Sequence, residues 1–272
     1  MSQYIIATDL DGTLLDHTTY KFHKAAPALE HCDKANIPVI FNTSKTFGET
    51  ERLAKVLDNN HPFIIENGSA LYVPKGYFAK ELDSQVPRYD AGAYWLYKFG
   101  LNRSEILSRL TTFNSEHKFS FIGFSQMTTR ELSRYTGLTL DQAAEAKERQ
   151  FSEPLLWQDQ PSRVERFAKH MQLFGINVIK GGRFVHLIGM VDKGKPLAYL
   201  KALYALNDCE KTLIALGDSD NDKAMLERAD IAVVIQSPAH QNPVLDVHPR
   251  LIRSRYQGPV GWNDTILELL EA

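Results

Sequence analysis

Two carboxylates, Asp9 and Asp11, stand one residue apart in Asp9-Leu10-Asp11-Gly12-Thr13, directly after the apolar run Ile5 to Thr8. Like charges that close push one pKa upward unless a cation screens them. A second acidic cluster, Gly217-Asp218-Ser219-Asp220-Asn221-Asp222, follows the apolar run Leu213 to Leu216 and opens a helical segment. Asp and Ser before a helix are ordinary N-caps, but this many acidic and polar residues at one strand end exceed what capping requires. The two clusters form an oxygen-rich set suited to a hard cation, and Mg²⁺ is the commonest such ion where a phosphate is also bound.

Two further pieces suit a phosphate. Thr43 and Ser44 end the run Val39 to Asn42 just before a helical segment, where hydroxyls and free backbone N–H groups make an anion site. Lys193, in Asp192-Lys193-Gly194-Lys195, brings one positive charge that can be set against phosphate oxygens. Each has a plainer reading, as a helix cap or a surface charge; their order along the chain gives them weight together.

The elements that position these residues follow a pattern. Short apolar runs (Ile5 to Thr8, Val39 to Asn42, Phe63 to Ile65, Leu213 to Leu216, Ile231 to Ile235) alternate with amphipathic segments at Ala25 to Ala35, Thr46 to Asp58, Gly194 to Ala205 and Asp222 to Arg228. Nearly continuous apolar runs joined by helices predict parallel strands covered on both faces. The expected fold is α/β, a doubly wound parallel-sheet, Rossmann-like core, in which ligands bind at the carboxyl ends of the strands. From about Ser84 to Gly189 the pattern changes to alternating helices and aromatic-rich strands, including Trp95, Tyr97, Phe119, Phe121 and Phe124. This predicts an inserted α+β cap domain over 84–189, the core being formed by 1–83 plus 190–272, with hinges near Asp83 and near Gly189 to Asp192. The cap aromatics are expected mainly to pack a core.

With 272 residues and a formal net charge of -2, the chain lacks the global basic field that nucleic-acid or anionic-membrane binding uses. Neither partner is expected. Cys32 and Cys209 stand alone, without metal-ligand spacing, and no run reaches the roughly 20 apolar residues of a membrane span. The expectation is a soluble, cytoplasmic protein; its oligomeric state is not legible.

The order D-x-D-G-T, strand-end Thr, Lys, then G-D-x-x-N-D resembles the haloacid dehalogenase superfamily, in the subgroup with a large α/β cap. The resemblance implies that Asp9 is a nucleophile forming an aspartyl-phosphate, and that Asp11 acts as general acid and then base. It implies that Thr43, Ser44, Lys193 and Asn221 hold the phosphoryl group. Mg²⁺ would sit on the Asp9 carboxylate, the Asp11 carbonyl and Asp218, with Asp222 in the outer shell. Glu66-Asn67-Gly68 looks like that subgroup's E-N-G turn, and Asn-Gly is also a strong hairpin signal. Phosphorelay receivers share the Asp, Thr and Lys set but lack a second Asp and a cap, so Asp11 and the insertion argue against a switch.

Further motifs are similar to the mannosyl-3-phosphoglycerate phosphatase family: Thr43-Ser44-Lys45-Thr46, Thr136-Gly137-Leu138, Arg149-Gln150-Phe151-Ser152-Glu153-Pro154, Gly181-Gly182-Arg183-Phe184-Val185-His186-Leu187 and Gly258-Pro259-Val260-Gly261-Trp262. Gln150 departs from the acidic residue expected there. The similarity implies a small phosphorylated sugar-glycerate substrate, 2-O-mannosyl-3-phosphoglycerate, with another sugar phosphate or glucosyl-3-phosphoglycerate as the alternative. Such a substrate carries a carboxylate and hydroxyls. Lys45, Arg149 and Arg183 are the candidate carboxylate contacts, Arg being suited to bidentate pairing, and Glu153 and His186 the candidate sugar contacts. A regular strand over Gly182 to Ile188 would turn Arg183 and His186 to opposite faces, so only one of them is expected to reach the ligand.

Overall fold

A computed structural model describes residues 3–83, 85–180, 183–207, 210–238, 241–245 and 248–271. Ser84, Gly181, Gly182 and Cys209 lie outside the described residues. The chain begins β1 (Tyr4–Thr8), α1 (Ala26–Lys34), β2 (Val39–Asn42), α2 (Phe47–Val56), β3 (Phe63–Ile65), β4 (Ala70–Pro74), β5 (Arg88–Ala91) and β6 (Tyr94–Lys98). It continues with α3 (Arg103–His117), β7 (Phe121–Gly123), α4 (Thr129–Thr136), α5 (Leu140–Lys147), β8 (Ser152–Trp157), α6 (Arg163–Leu173), β9 (Ile176–Lys180) and β10 (Val185–Gly189). The last elements are α7 (Gly194–Asn207), β11 (Thr212–Gly217), α8 (Lys223–Glu227), β12 (Ile231–Gln236), β13 (Leu251–Gln257) and α9 (Gly258–Glu271).

The large sheet has the order β13-β12-β11-β1-β2-β3-β4-β6-β5. Strands β13 through β3 run parallel, and β4, β6 and β5 extend them antiparallel. Alternation along each strand divides the side chains between two layers. Ile6, Phe41 and Ile65 face α1, α2 and α9, while Ile5, Ala7, Ile40 and Ile64 face α7 and α8. The two-sided burial explains why these runs are apolar throughout. Trp262 of α9 is fully buried, and its indole N–H donates to Thr8 Oγ1 at 3.0 Å, bracing the end of β1.

A separate antiparallel sheet, β7-β8-β10-β9, carries α3 and α6 against Phe113, Leu155, Phe167 and Leu187, and a helical pair α4–α5 around Phe124, Leu132 and Ala143. The boundary differs from the one expected. Residues 88–98, placed by sequence in the insertion, form β5 and β6 and pair onto β4 of the large sheet. Tyr97 and Trp95 therefore pack in the layer that also holds α7, whereas Phe119 and Phe124 pack within the second unit. An aromatic-rich strand shows its period but not its sheet. The links between the units are the segments at 99–102 and 189–193. They cross closely, since a Cβ on Gly189 would lie 2.7 Å from the Leu101 nitrogen.

Candidate active site

Two adjacent parallel strands, β1 and β11, end side by side and deliver the acidic residues. Asp9 follows β1, its amide donating to Leu216 O at 2.9 Å, and Asp218 follows β11. Gly12 adopts φ +83°, and a Cβ there would sit 2.6 Å from Asp218 Oδ2, so the D-x-D-G turn needs its glycine for conformation and space. Lys193, fully buried, lies between two carboxylates, with Nζ 2.6 Å from Asp9 Oδ1 and 2.6 Å from Asp222 Oδ1. Asn42, at the end of β2, donates from Nδ2 to Lys193 O at 2.9 Å and fixes the backbone that carries the ammonium. Asp222 Oδ2 accepts the amides of Asp218 and Ser219 at 3.0 and 3.1 Å, so both of its oxygens are engaged.

Asp9, Asp218 and Asp222 each offer a carboxylate oxygen within 4.8 Å of the others. Asp218 Oδ2 is buried and has no hydrogen-bond partner. Three buried carboxylates against one lysine leave a deficit of positive charge. Burial, only partly offset by Lys193 and reinforced by the neighbouring carboxylates, pushes Asp9 up to about 8. Burial and Asp222 likewise push Asp218 up to about 6. For Lys193, burial opposes the charge, but Asp222 and Asp9 outweigh it and hold the ammonium well above its usual range. These residues fit a divalent cation: a hard, all-oxygen donor set with an unpartnered ligand atom and negative charge to balance.

Asp11 stands apart from that cluster. Its Oδ2 pairs with Lys45 Nζ at 2.8 Å, and its buried Oδ1 is unpartnered. Burial works against the Lys45 charge, yet Asp11 and then Glu49 raise its pKa. Thr43 is buried, its Oγ1 accepting the Lys45 amide at 3.2 Å, while Ser44 lines the cavity. Thr46 closes a capping box with Glu49 at the start of α2, which fixes this loop. Asn221 donates to Asn67 Oδ1 at 3.1 Å.

A cavity of about 400 Å³ opens over Asp9, Asp11, Asp218 and Asn221, and its far wall is supplied by Ile179, Lys180 and His186 of the second sheet. A cleft of about 840 Å³ shares Asp11, Ser44 and His186 with it and runs on past Lys45, Arg149 and Arg183. The site is thus assembled between the two units.

The proposed cap contacts divide. Arg149 reaches the cleft, its guanidinium donating to Ser44 O at 3.1 Å and Ser152 Oγ at 2.9 Å, with Nε buried and unpartnered. His186 lines both spaces with an unpartnered Nδ1, and burial, then Arg149, push its pKa down to about 3. Arg183 precedes β10, which begins only at Val185, so the alternation argument does not reach it and both residues line the cleft. Arg183 also donates to Tyr135 O and Thr136 O at 2.9 and 3.0 Å, closing the C-terminus of α4. Glu153 does not reach the cleft. It is fully buried, pairs with Arg103 at 2.6 Å, and accepts the Ser125 amide and hydroxyl, because β8 turns it into its own unit. Asn42 and Lys180 join the site or its supports without having been singled out for it. Asn42 ends an apolar run and resembles a strand terminus, which hides its contact to Lys193.

Among the described residues no helix is long and apolar enough to cross a membrane. Residues 6–241 match the haloacid dehalogenase-like hydrolase family. Glucosyl-3-phosphoglycerate/mannosyl-3-phosphoglycerate phosphatase from Methanococcoides burtonii is 36% identical over 268 residues, covering 98% of this chain and 97% of the relative. The protein of the same name from Persephonella marina is 38% identical over 270 residues, with 98% and 97% covered. A solved phosphatase of the haloalkanoate superfamily from Bacteroides thetaiotaomicron shares the fold, with a TM-score of 0.67 at 16% identity over 98% of this chain and 94% of that one. With Asp9, Asp11, Ser44 and Asp218 gathered at one cavity above the buried Lys193, and the match running along nearly its whole length, the chain belongs to the haloacid dehalogenase-like hydrolases.

Proposed function

We propose that this phosphatase hydrolyses 2-O-mannosyl-3-phosphoglycerate to mannosylglycerate and phosphate, with Mg²⁺ as cofactor, in the cytoplasm. The carrying observation is the buried Lys193 bridging Asp9 and Asp222 beside the unpartnered Asp218 Oδ2, at the floor of a cavity that continues into a cleft lined by Arg149. An anionic nucleophile approaches an anionic phosphate only where fixed positive charge offsets the repulsion. Asp9 attacks phosphorus and forms the aspartyl-phosphate while the P–O bond to the glycerate oxygen breaks. Asp11, whose Oδ1 is unpartnered, gives that oxygen its proton. It then takes one from the water that attacks phosphorus, releasing phosphate and restoring Asp9. Lys193, Ser44 and the amides at the start of α2 hold the phosphoryl oxygens, supported by buried Thr43 and by Asn221. Asp9, Asp218 and the Asp11 carbonyl would hold Mg²⁺, with Asp222 behind them; when bound, the ion supplies charge neutralisation of the transferring phosphoryl group.

The unit from about residue 99 to 190 acts as a cap. Arg149 would read the glycerate carboxylate, with Lys45 beside it, and His186 and Arg183 the sugar edge. Glucosyl-3-phosphoglycerate is the second reading, favoured by the relatives, whose names carry both sugars. The two sugars are epimers, and a difference of one hydroxyl orientation rests on a few hydrogen bonds. Phosphate release with Mg²⁺ over mannosyl-3-phosphoglycerate, glucosyl-3-phosphoglycerate, 3-phosphoglycerate, mannose 6-phosphate and an aryl phosphate tests the proposal. A kcat/KM preference for the sugar-glycerate esters supports it; equal rates on all five leave only a broad phosphatase.

A further inference from the structure

One turn of the core touches three loops of the site. Glu66, Asn67 and Gly68 follow β3 with φ of +47°, +58° and +91°, conformations that cost an L-residue energy unless the surroundings enforce them. The Glu66 amide donates to Lys45 O and the Asn67 amide to Thr43 O. The Asn67 side chain meets Asn221, and a Cβ on Gly68 would overlap Asp192 O at 2.0 Å, next to Lys193. The remaining group, the Glu66 carboxylate, points the other way, into the cap. It is fully buried and accepts the amides of Gln150 and Phe151 at 2.8 and 3.2 Å and the Ser152 hydroxyl at 2.5 Å, with the Arg149 guanidinium 3.9 Å away. Glu66 is thus a core residue whose ionic head is built into residues 150–152, where the chain enters β8.

Arg149 is the first residue of that clamped segment, and it is also a cleft cation that donates directly to the phosphate loop, at Ser44 O. Its guanidinium is held on one edge by Ser44 O, Ser152 Oγ and the Glu66 charge, which leaves Nε buried and unpartnered. A cation fixed in this way loses little freedom when an anion arrives, which is how preorganisation gains affinity. We propose that Glu66 is a positioning residue for specificity: it presets Arg149 for a second anionic group on the substrate, beyond the phosphate. This rests on the reading of the cleft as the site of a carboxylate-bearing phosphate ester. It makes a core residue with no substrate contact responsible for selection between one-anion and two-anion substrates.

The test compares mannosyl-3-phosphoglycerate with an aryl phosphate, which carries no second anion, in Glu66→Gln. The amide keeps the size but faces donors with a donor and removes the charge beside Arg149. Losing a charged hydrogen-bond arrangement of this kind should raise KM for the sugar ester about tenfold, with kcat for it and kcat/KM for the aryl phosphate within about threefold. In an Arg149→Ala background the same substitution should add less than about twofold, since coupled residues are not additive. Equal losses on both substrates, or a full tenfold effect persisting without Arg149, would overturn the proposal. Hydrogen exchange separates this from the substrate reading. In Glu66→Ala the Gln150 and Phe151 amides should exchange about tenfold faster than in the unaltered protein, whichever ester is preferred, and unchanged exchange would sink the clamp itself. If the unaltered enzyme shows no preference for the sugar ester, the substrate reading falls while the exchange result still judges Glu66.

Discussion

The floor of the site and its roof are built by different rules. On the floor, Asp9 and Asp218 follow buried parallel strands, and Lys193, just before α7, ties Asp9 to Asp222 through two 2.6 Å contacts. On the roof, Arg149, Arg183 and His186 come from an antiparallel unit; the two arginines divide their polar groups between structure and cleft, and His186 lines the cleft with Nδ1 unpartnered. The contrast teaches where chemistry and selectivity are stored. Charge that must never move is buried in the sheet, and charge that must recognise a varied partner is held on an element that reaches the core only through a few contacts.

The sharpest way to break that contrast is at the floor. Asp9→Asn should lower kcat at least about a thousandfold on every substrate, as expected of a nucleophile, with the fold intact by circular dichroism. Retained phosphate release would remove Asp9 from that role. Chelation should likewise silence the enzyme, and Mg²⁺ added back should restore it; full activity in chelator would show that the acidic cluster needs no ion.

Roof residues should divide by whether they serve stability or recognition. Glu153→Ala leaves Arg103 charged against a buried gap, and breaking such a pair costs about 3 kcal/mol. Denaturant unfolding should report that loss while KM for the sugar ester stays within about twofold. A large KM change without destabilisation would return Glu153 to the cleft.

His186 sharpens the comparison through pH. Its folded pKa, about 3, lies below its unfolded value, so the unfolded chain binds the extra proton between the two. Stability from this residue is complete above about pH 6.5 and falls as pH drops from there toward 3, by about 1.4 kcal/mol at pH 5.5. The Tm of His186→Gln should therefore fall less between pH 7 and 5.5 than that of the unaltered protein. Parallel curves would mean that His186 is not held neutral.

These differences also explain what could be read in advance. Parallel strands covered on both faces write themselves as apolar runs, so β1, β2, β3, β11 and β12 were visible along with the acids at their ends. Strand β6 was visible as an aromatic-rich strand, but nothing in Tyr94-Trp95-Leu96-Tyr97 names the sheet it joins, and its neighbour β5 carries no such signal. Helix α9 was hidden behind Gly258-Pro259 and Gly261, which resemble a loop. Pro is tolerated in the first turn, and Gly261 lets the helix approach Tyr256 O, where a Cβ would lie 2.0 Å away. Among the cap residues, Glu153 and Arg183 have the chemistry of ligand contacts, and only their partners, Arg103 and the end of α4, reveal the structural work. Glu66 was legible as part of a turn, while its reach to residues 150–152 depends on how two units dock.

The most direct test of the account is to quench the enzyme during turnover of mannosyl-3-phosphoglycerate with Mg²⁺ and weigh the peptide that carries Asp9 and Asp11. The account predicts transient addition of one phosphoryl group, lost on hydroxylamine treatment and mapped to Asp9. Phosphate release at full rate with no adduct on that peptide, or an adduct on another residue, would contradict it.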